Sequence, residues 1–543
     1  MGRYIIAVDI GTTTIRACLF DVRCQLLEVV NEQVSVQATS NDHYGLQVEL
    51  DPEVLFTQFV RVVKHCLQRV PENNDVSLSF CCQRNSFILW NKTTEANLTK
   101  IICWNDTRSV KACDDWNGSV TVKALHCAGA FLYFFTRQPR FMAARKLHFL
   151  SAMVNHRAIV TVEESTEMKS LLKNDLLLFG CLDTWLLYRL SCGHSLVAEA
   201  SNCSATGMYD PYIGDYNNTI LKLIGFPTSV LPPIVDSAMK DGIATVDARH
   251  FGRELKVVSV MADQQASLFG CGCWNKGDIK ISLGTGSFVN MNTGDRPHAS
   301  MSGLYPLVGW RTSGKDTFVA EGNDNNTATL LQWAKNIGLF DSVEETSQIA
   351  QEAGDTHGVF FIPAFNGLQT PINDGSACSG FLGLKPDTSK AHMVRAILQS
   401  IAFRVKQIVD TMNNEIHIKE VMRIRICGGV SSNEFVCQTI ADLLQVPIEL
   451  ISDASNSGCR GVALLSGLQL GLWSDQEIVD LVKVERVYTP TTGDQSQLNR
   501  TYSLWLKALD RCTKGWMTQH RKESSATDPS VPIPMTSPAQ TQL

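Results

Sequence analysis

The chain has 543 residues, 44% of them hydrophobic, with 48 Lys and Arg against 54 Asp and Glu for a net charge of −6. At roughly 100–200 residues per domain, this is length for two large units or several smaller ones, and neither needs disulfides or a structural metal to hold a core. A mildly acidic chain with no block of five like charges is not built around nucleic acid or an anionic membrane surface as its main partner.

Residues 4–10, YIIAVDI, form an apolar, β-branched run that ends at Gly11, and residues 15–21, IRACLFD, alternate. With Gly-Thr-Thr-Thr between them, the pattern predicts a hairpin, and Asp9 closes its first strand. An apolar strand over 76–81 leads into Cys82-Gln83-Arg84-Asn85, with Trp90 beyond it, and Ile102-Cys103-Trp104-Asn105-Asp106 ends another apolar stretch. KVVSVMA (256–262) is nearly continuous, as expected of a strand covered on both faces. It ends in Asp263-Gln264-Gln265, ahead of a predicted helix over 266–271.

Residues 277–294, GDIKISLGTGSFVNMNTG, repeat the first hairpin, with strands at 279–283 and 287–291 flanking Gly284-Thr285-Gly286. A supersecondary unit repeated at about half the chain length predicts two similar α/β domains that meet near 270–276. Further on, Thr388 or Ser389 caps a helix with apolar residues at 394, 397/398, 401, 405, 408 and 412. A strand over 421–427 runs into Gly428-Gly429, and VALLSGLQLGLW (462–473) reads as a buried helix. From about 521 the composition turns Pro-, Ser- and Thr-rich, which predicts a disordered tail over 521–543. The domains are therefore expected at 1–272 and 273–520.

The chemistry concentrates at strand ends. The turn Gly11-Thr12-Thr13-Thr14 offers backbone N–H groups and hydroxyls, Arg16 adds a cation, and Asp9 beside them suits Mg²⁺: together they read as a polyphosphate site. Gly284, Thr285 and Gly286 supply the same equipment from the other half, so two turns would clamp one nucleotide between domains. Open α/β sheets place ligands at the carboxyl ends of their strands, which makes Asp263 a candidate reactive group, with a helix N-cap as its plainer role. Arg, Gln and Trp near such a cleft suit a small polyhydroxylated ligand.

Other signals carry little. The 18 cysteines are scattered without a zinc-type cluster and read as reduced thiols. Gly309-Trp-Arg-Thr-Ser-Gly314-Lys315-Asp316 nearly spells a P-loop but ends in Asp where a hydroxyl must meet Mg²⁺, so a surface turn is expected. No uninterrupted apolar run reaches the ~18 residues of a membrane span. The opening MGRYIIAVDIG has no signal-peptide core, so a cytoplasmic location is expected.

The stretches VDIGTTTIRA (8–17), QRNSFILWNKTT (83–94), DTWLLYRL (183–190), SNCSATGMYDP (201–211), ADQQASLFG (262–270), SLGTGSFVNMNTG (282–294), GLKPDTSKAHMVRAILQSIAFR (383–404), GGVSSNEF (428–435) and GVALLSGLQLGLW (461–473) resemble, in order, those of the FGGY carbohydrate kinases, especially the glycerol kinase branch. The resemblance implies an actin/hexokinase/Hsp70-type (ribonuclease H-like) fold, two duplicated α/β domains around an interdomain cleft. It implies ATP and Mg²⁺ as cofactors, with Asp9, Thr12, Thr13 and Arg16 at the first phosphate loop and Gly284, Thr285 and Gly286 at the second. Gly428, Gly429, Asn433 and the segment 320–327 take the adenine side. Asp263 takes the part of catalytic base, Arg84, Asn85, Trp104 and Gln264 contact the polyol, and Asp9 and Asp263 lie nearest the metal.

The resemblance is incomplete on the acceptor side. Glycerol kinases usually carry Arg-Glu where this chain has Arg84-Asn85, and a Tyr of their glycerol pocket aligns near Arg140. Cys427 stands where many relatives have Asp. The expected activity is ATP-dependent phosphorylation of a small polyol, glycerol first, in a chain whose partners are ATP and the polyol; self-association is left open. Another polyol or ketose as acceptor, or a weakly active nucleotide-binding regulator, are the alternatives.

Overall fold

In the computed structural model, the first hairpin pairs Arg3–Ile10 with Thr14–Phe20 antiparallel, and Asp9 lies opposite Arg16. The described residues are 2–41, 45–71, 73–365, 367–418, 421–493 and 496–513, so the tail expected at 521–543 lies outside them. Ile5, Ile6, Ala7, Val8 and Ile10 are all buried, so both faces of the first strand are covered. That is why its sequence is continuously apolar rather than alternating.

The first sheet runs in the order Ala244–Val246, Leu255–Ala262, Asp75–Cys82, Arg3–Ile10, Thr14–Phe20, Leu26–Gln33. The strands Leu255–Ala262, Asp75–Cys82 and Arg3–Ile10 are parallel, so Ala262, Cys82 and Ile10 finish side by side at one edge. The second sheet runs Tyr305–Thr312, Lys315–Asp324, Ser287–Gly294, Ile279–Leu283, Ile424–Cys427, Ile448–Ile451, Val484–Tyr488. Each sheet therefore contains an antiparallel meander followed by two parallel strands, the duplicated architecture expected of the actin-type fold. The near-P-loop segment is the tight turn between Tyr305–Thr312 and Lys315–Asp324, with Ser313 and Gly314 at φ of 51° and 71°.

Each sheet has its own core. Helix Pro52–Gln68 covers the first with Phe59, Val62 and Val63. Helix Lys390–Ile416, capped by Ser389 in a capping box with His392, covers the second with Val394, Ile397, Leu398, Ile401, Val405, Ile408 and Met412. These are the apolar positions of its sequence pattern.

Three boundaries differ from the sequence reading. The helix expected at 266–271 begins at Asp263, since a carboxylate is favoured in the first turn of a helix. The strand expected at 421–427 is limited to Ile424–Cys427, and Met422 before it is 64% exposed. The helix expected at 462–473 occupies Ser457–Gln469 instead. Its first turns, Ser-Gly-Cys-Arg-Gly, have loop-like composition for a packing reason. A Cβ on Gly461 would lie 1.8 Å from the Ala266 carbonyl oxygen, and one on Gly270 would lie 2.0 Å from that of Ser457. The two helices thus cross backbone to backbone, with glycine on both. Met261, Ala266 and Leu268 pack with Cys427, Val462 and Leu464 in a third core cluster, which joins the two sheets across this crossing.

Candidate functional site

The three parallel strand ends of the first sheet deliver Asp9, Gln83-Arg84 and Asp263 to one edge. Asp9 is buried, and its carboxyl pKa is pushed up to about 6, first by desolvation and then by the charge of Asp263. The Asp263 carboxyl is also raised above its usual range by burial, against the opposing pull of Arg84 and the Gln264 backbone N–H, which donates to Oδ1 at 2.7 Å. A buried carboxylate raised by the charge of a neighbouring one fits a divalent cation beside the pair. The crossing helix begins beside them, since a Cβ on Gly458 would approach Asp9 Oδ2 to 2.9 Å.

At the first turn the Gly11 N–H donates to the Thr14 carbonyl at 3.0 Å, and the Thr13 side chain projects into solvent. The Thr12 hydroxyl is engaged elsewhere: it donates to Gln83 Oε1 at 3.1 Å and accepts from Trp104 Nε1 at 3.0 Å. Arg16 donates to Asn31 Oδ1 at 2.7 Å and to the Ser455 carbonyl in the C-terminal half.

The second turn is closed by Gly284 N–H to Gly286 carbonyl, 3.0 Å, and backed by the helix Ala328–Asn336. Thr327 N–H donates to the Thr285 carbonyl at 3.0 Å and Ala328 N–H to that of Gly284 at 3.1 Å. The Thr285 side chain is exposed, as Thr13 is in the first turn. Nearby, Gly428 sits at φ 94°, where a Cβ would meet the Leu283 carbonyl at 2.5 Å. Gly429 has open space above it, as a ligand's approach requires. The side chain of Asn433 caps the helix Glu434–Leu444 by accepting from Val436 N–H and donates to Thr346 Oγ1 at 3.0 Å. One N–H and one lone pair of its amide are thus engaged within the protein.

Where the acceptor is expected, Arg84 makes a bidentate pair with Glu321 at 2.9 and 3.1 Å and lies 3.8 Å from Asp263 Oδ1. Asn290 Nδ2 donates to the same Glu321 carboxylate at 2.7 Å, and Tyr305 is opposite Glu321 in the sheet register, its phenol pushed up to about 12 by burial and by that carboxylate. Gln264 is held by buried Lys280, whose ammonium donates to its Oε1 at 2.9 Å and to its carbonyl at 3.1 Å. Asn85 adopts a left-handed φ of 60°, a conformation that Asn tolerates better than most residues. Its carbonyl accepts from Arg157 at 2.6 Å, and its buried Oδ1 has no hydrogen-bond partner.

Four sequence expectations change here. Trp90 is 1% exposed and packs on Tyr188 at 5.3 Å, so it belongs to the core and not to a pocket. Arg140 is ion-paired with Asp210 at 2.8 Å, with its side chain 44% exposed, and does not enter the Arg84 cluster. The phenol beside that cluster is Tyr305. Glu321, grouped with the adenine side as part of 320–327, pairs with Arg84, a residue expected at the polyol. Asp263 is the first helical residue rather than the N-cap, which is Ala262. Lys280 and Asn290 carry no sequence expectation because they arrive from the second sheet, and Glu321 carries one only as part of 320–327. For Lys280 the sequence signal is a Lys inside the largely apolar strand Ile279–Leu283, whereas the strands of Asn290 and Glu321 are mixed in polarity and give none.

Comparison with known proteins agrees with this geometry. The N-terminal domain model of the FGGY family of carbohydrate kinases matches residues 4–270, and the C-terminal domain model matches 279–470. The chain is 38% identical to glycerol kinase 5 of Bos taurus, covering 95% of this chain and 96% of that protein. It is 30% identical to glycerol kinase 2 of Thermotoga maritima, with 95% and 99% covered. Among solved structures, Plasmodium falciparum glycerol kinase with ADP superposes with a TM-score of 0.83 at 22% identity, covering 94% of this chain and 98% of that one. Xylulose kinase from Lactobacillus acidophilus gives 0.79 at 20% identity, over the same shares. The chain belongs to the FGGY family of carbohydrate kinases and is an ATP-dependent kinase of a polyol or sugar.

Proposed function

We propose that the protein transfers the γ-phosphoryl group of ATP to a primary hydroxyl of glycerol, giving glycerol 3-phosphate. The meeting of Arg84, Asp263 and Glu321 at the strand ends, between two phosphate-type turns, carries this reading. The glycerol kinase relatives favour glycerol as the acceptor.

Phosphoryl transfer passes through a loose transition state, so the protein's work is positioning and charge neutralisation. Arg84, fixed in orientation by Glu321, donates to acceptor hydroxyls, and the free amide of Gln264, steadied by Lys280, donates to another. Trp104, anchored through its indole N–H, covers the acceptor's carbons. The reacting hydroxyl lies against Asp263, which accepts its proton as the new P–O bond forms and the bond to the β-phosphate oxygen breaks. A carboxyl raised by burial above its usual range makes Asp263 a better base than an ordinary Asp. Mg²⁺ bound with the nucleotide would be held by Asp9 and Asp263 and would neutralise phosphate charge. Backbone N–H groups of the Gly11–Thr14 and Gly284–Gly286 turns, with the hydroxyls of Thr13 and Thr285, take the phosphates, and Gly428 and Gly429 take the base side.

A second acceptor class is favoured by one observation: neutral amides, Asn85 and Asn290, each with an unpartnered buried oxygen, line the acceptor side. Two free acceptors suit a longer polyol or ketose that brings extra hydroxyl donors. ATP turnover with glycerol, dihydroxyacetone, xylulose and ribulose, read by ADP release and product mass, tests both. Glycerol 3-phosphate as the best product supports the first reading; xylulose or ribulose phosphate supports the second; ADP release independent of every acceptor overturns both.

A further inference from the structure

Away from the cleft, the helix Val120–Thr136 turns an apolar face to solvent. Val120 is 82% exposed, and Phe131, Phe134 and Phe135 are 64%, 64% and 68% exposed, with Ala124 and Cys127 exposed between them. At 100° per residue these positions share one side of the helix. The three phenylalanines form a ridge, with Phe135 edge-on to Phe131 at 4.9 Å and to Phe134 at 5.2 Å. The opposite side is committed to the protein. Gly129 lies so close to the following helix, Pro139–Arg145, that a Cβ there would meet the Arg145 nitrogen at 2.7 Å.

That contact sets cations beside the ridge. Arg145 and Lys146, with His126 and His148, line a cavity of about 440 Å³ along the helix. Arg137 lies over the rings of Tyr133 and Phe134 at 5.8 and 5.6 Å. Although the whole chain carries a net charge of −6, no Asp or Glu occurs between Asp115 and Glu163, where Lys123, Arg137, Arg140, Arg145, Lys146 and Arg157 all fall. Arg140 is paired with Asp210 and Arg157 is buried. Among the described residues, no carboxylate lies within 4.0 Å of the basic nitrogens of the other four, and the Asp114 charge acts on His148.

We propose that this face docks on an anionic lipid bilayer. The aromatic ridge enters the interfacial zone, and Lys123, Arg137, Arg145 and Lys146 meet the headgroup charges. An apolar patch flanked by unpaired cations calls for a partner of opposite sign. A second copy of the chain is disfavoured, because two-fold pairing of this face would set like cations against each other. We take the contact as peripheral: among the described residues no single helix is long and apolar enough to cross a membrane, the pair Val110–Gly118 and Val120–Thr136 that reaches that length and apolarity together is bent by 57°, and Gly129 and Val122 face inward. The average charge of the chain, which argued against such a partner, conceals this local excess.

The test is co-sedimentation of the full-length protein with vesicles of phosphatidylcholine alone and with added phosphatidylserine. Binding is expected only with phosphatidylserine and should fall as salt rises. Replacing Arg145 and Lys146 by Glu should weaken it ~25-fold or more, from roughly fivefold per cation removed. Phe131→Ser, Phe134→Ser and Phe135→Ser together should abolish it, with circular dichroism and kinase turnover unchanged. The salt dependence of the unaltered protein gives a reading that needs no variant. No binding to phosphatidylserine vesicles at low salt, or equal binding to both kinds, would overturn the proposal. So would a concentration-dependent dimer that the three Phe→Ser substitutions dissolve while vesicles remain unbound, which would make this face a self-association surface.

Discussion

The two hairpins share antiparallel pairing and place in their sheets, yet their turns, of four residues (11–14) and three (284–286), are wired to different neighbours. In the first, the Thr12 hydroxyl bonds to Gln83 and Trp104, so a phosphate-type turn is tied to residues of the acceptor side. In the second, the turn is tied by backbone bonds to Thr327 and Ala328 at the start of a helix of its own half. The acceptor side in turn borrows from the second sheet, through Glu321 and Lys280. On the proposed function, duplication would supply the nucleotide-gripping geometry and the cross-connections between halves would bear on acceptor choice. A change in the second turn should stay on the nucleotide, whereas a change in the first, or in its partners, should reach the acceptor.

The largest expected effect is at the point where both halves converge. Asp263→Asn should lower kcat by about 10²–10⁴ with nucleotide affinity kept, as for loss of a positioned base. Steady-state kinetics with calorimetric ATP titration checks this; a near-normal kcat would leave Asp263 with only its place at the helix start.

Arg84→Ala breaks the connection between halves and leaves the Glu321 carboxylate buried without its cation. Loss of one partner from a buried charge pair costs about 2–5 kcal/mol, so acceptor KM should rise ~30-fold or more while ATP affinity changes little. If ATP affinity fell equally, Arg84 would belong to the nucleotide side.

Asp9 sharpens the comparison by pH, since it stands at the first turn and has no counterpart at the second. Its pKa of about 6 means that it is ionised at neutral pH and takes up a proton as pH falls through that value. Protons then compete with the cation, so apparent Mg²⁺ affinity should drop towards tenfold per pH unit below about 6. Mg²⁺ titrations across pH 5–8 (about three units) read this directly, and a flat profile would remove Asp9 from the metal site.

Asn85→Asp adds a charge on the acceptor side while keeping a residue that tolerates φ of 60°, which Glu does less readily. A charge-assisted bond exceeds a neutral one by about 1–1.5 kcal/mol, so glycerol KM should fall ~10-fold if glycerol is the acceptor. A higher KM for glycerol, together with good turnover of a larger polyol by the parent protein, would favour the second acceptor class.

Much of this arrangement was legible in the sequence, for local reasons. The strands around Gly11–Thr14 and Gly284–Gly286, and the run ending at Asp263, are apolar because both their faces are covered. The cap at Ser389 and the spacing from Val394 to Met412 also declare themselves within one helix. What escaped depends on partners distant in the chain. The start of the helix at Ser457 was hidden by glycines whose purpose is the crossing with Asp263–Gly270. Glu321 and Lys280 acquire meaning only when the second sheet meets the first. The exposed ridge of Phe131, Phe134 and Phe135 lies in a segment with little likeness to family motifs, where neither motif nor average charge gave a reading.

The difference between the hairpins is tested most directly by matched substitutions, Thr12→Val and Thr285→Val, with KM measured for ATP and for the acceptor in each. The lost hydrogen bonds are each worth about 1 kcal/mol, so Thr12→Val should raise acceptor KM ~5-fold or more, through the freed Trp104. Thr285→Val should weaken ATP alone and leave acceptor KM unchanged. Two variants that both act on ATP alone, or a Thr285→Val that raises acceptor KM, would contradict the account.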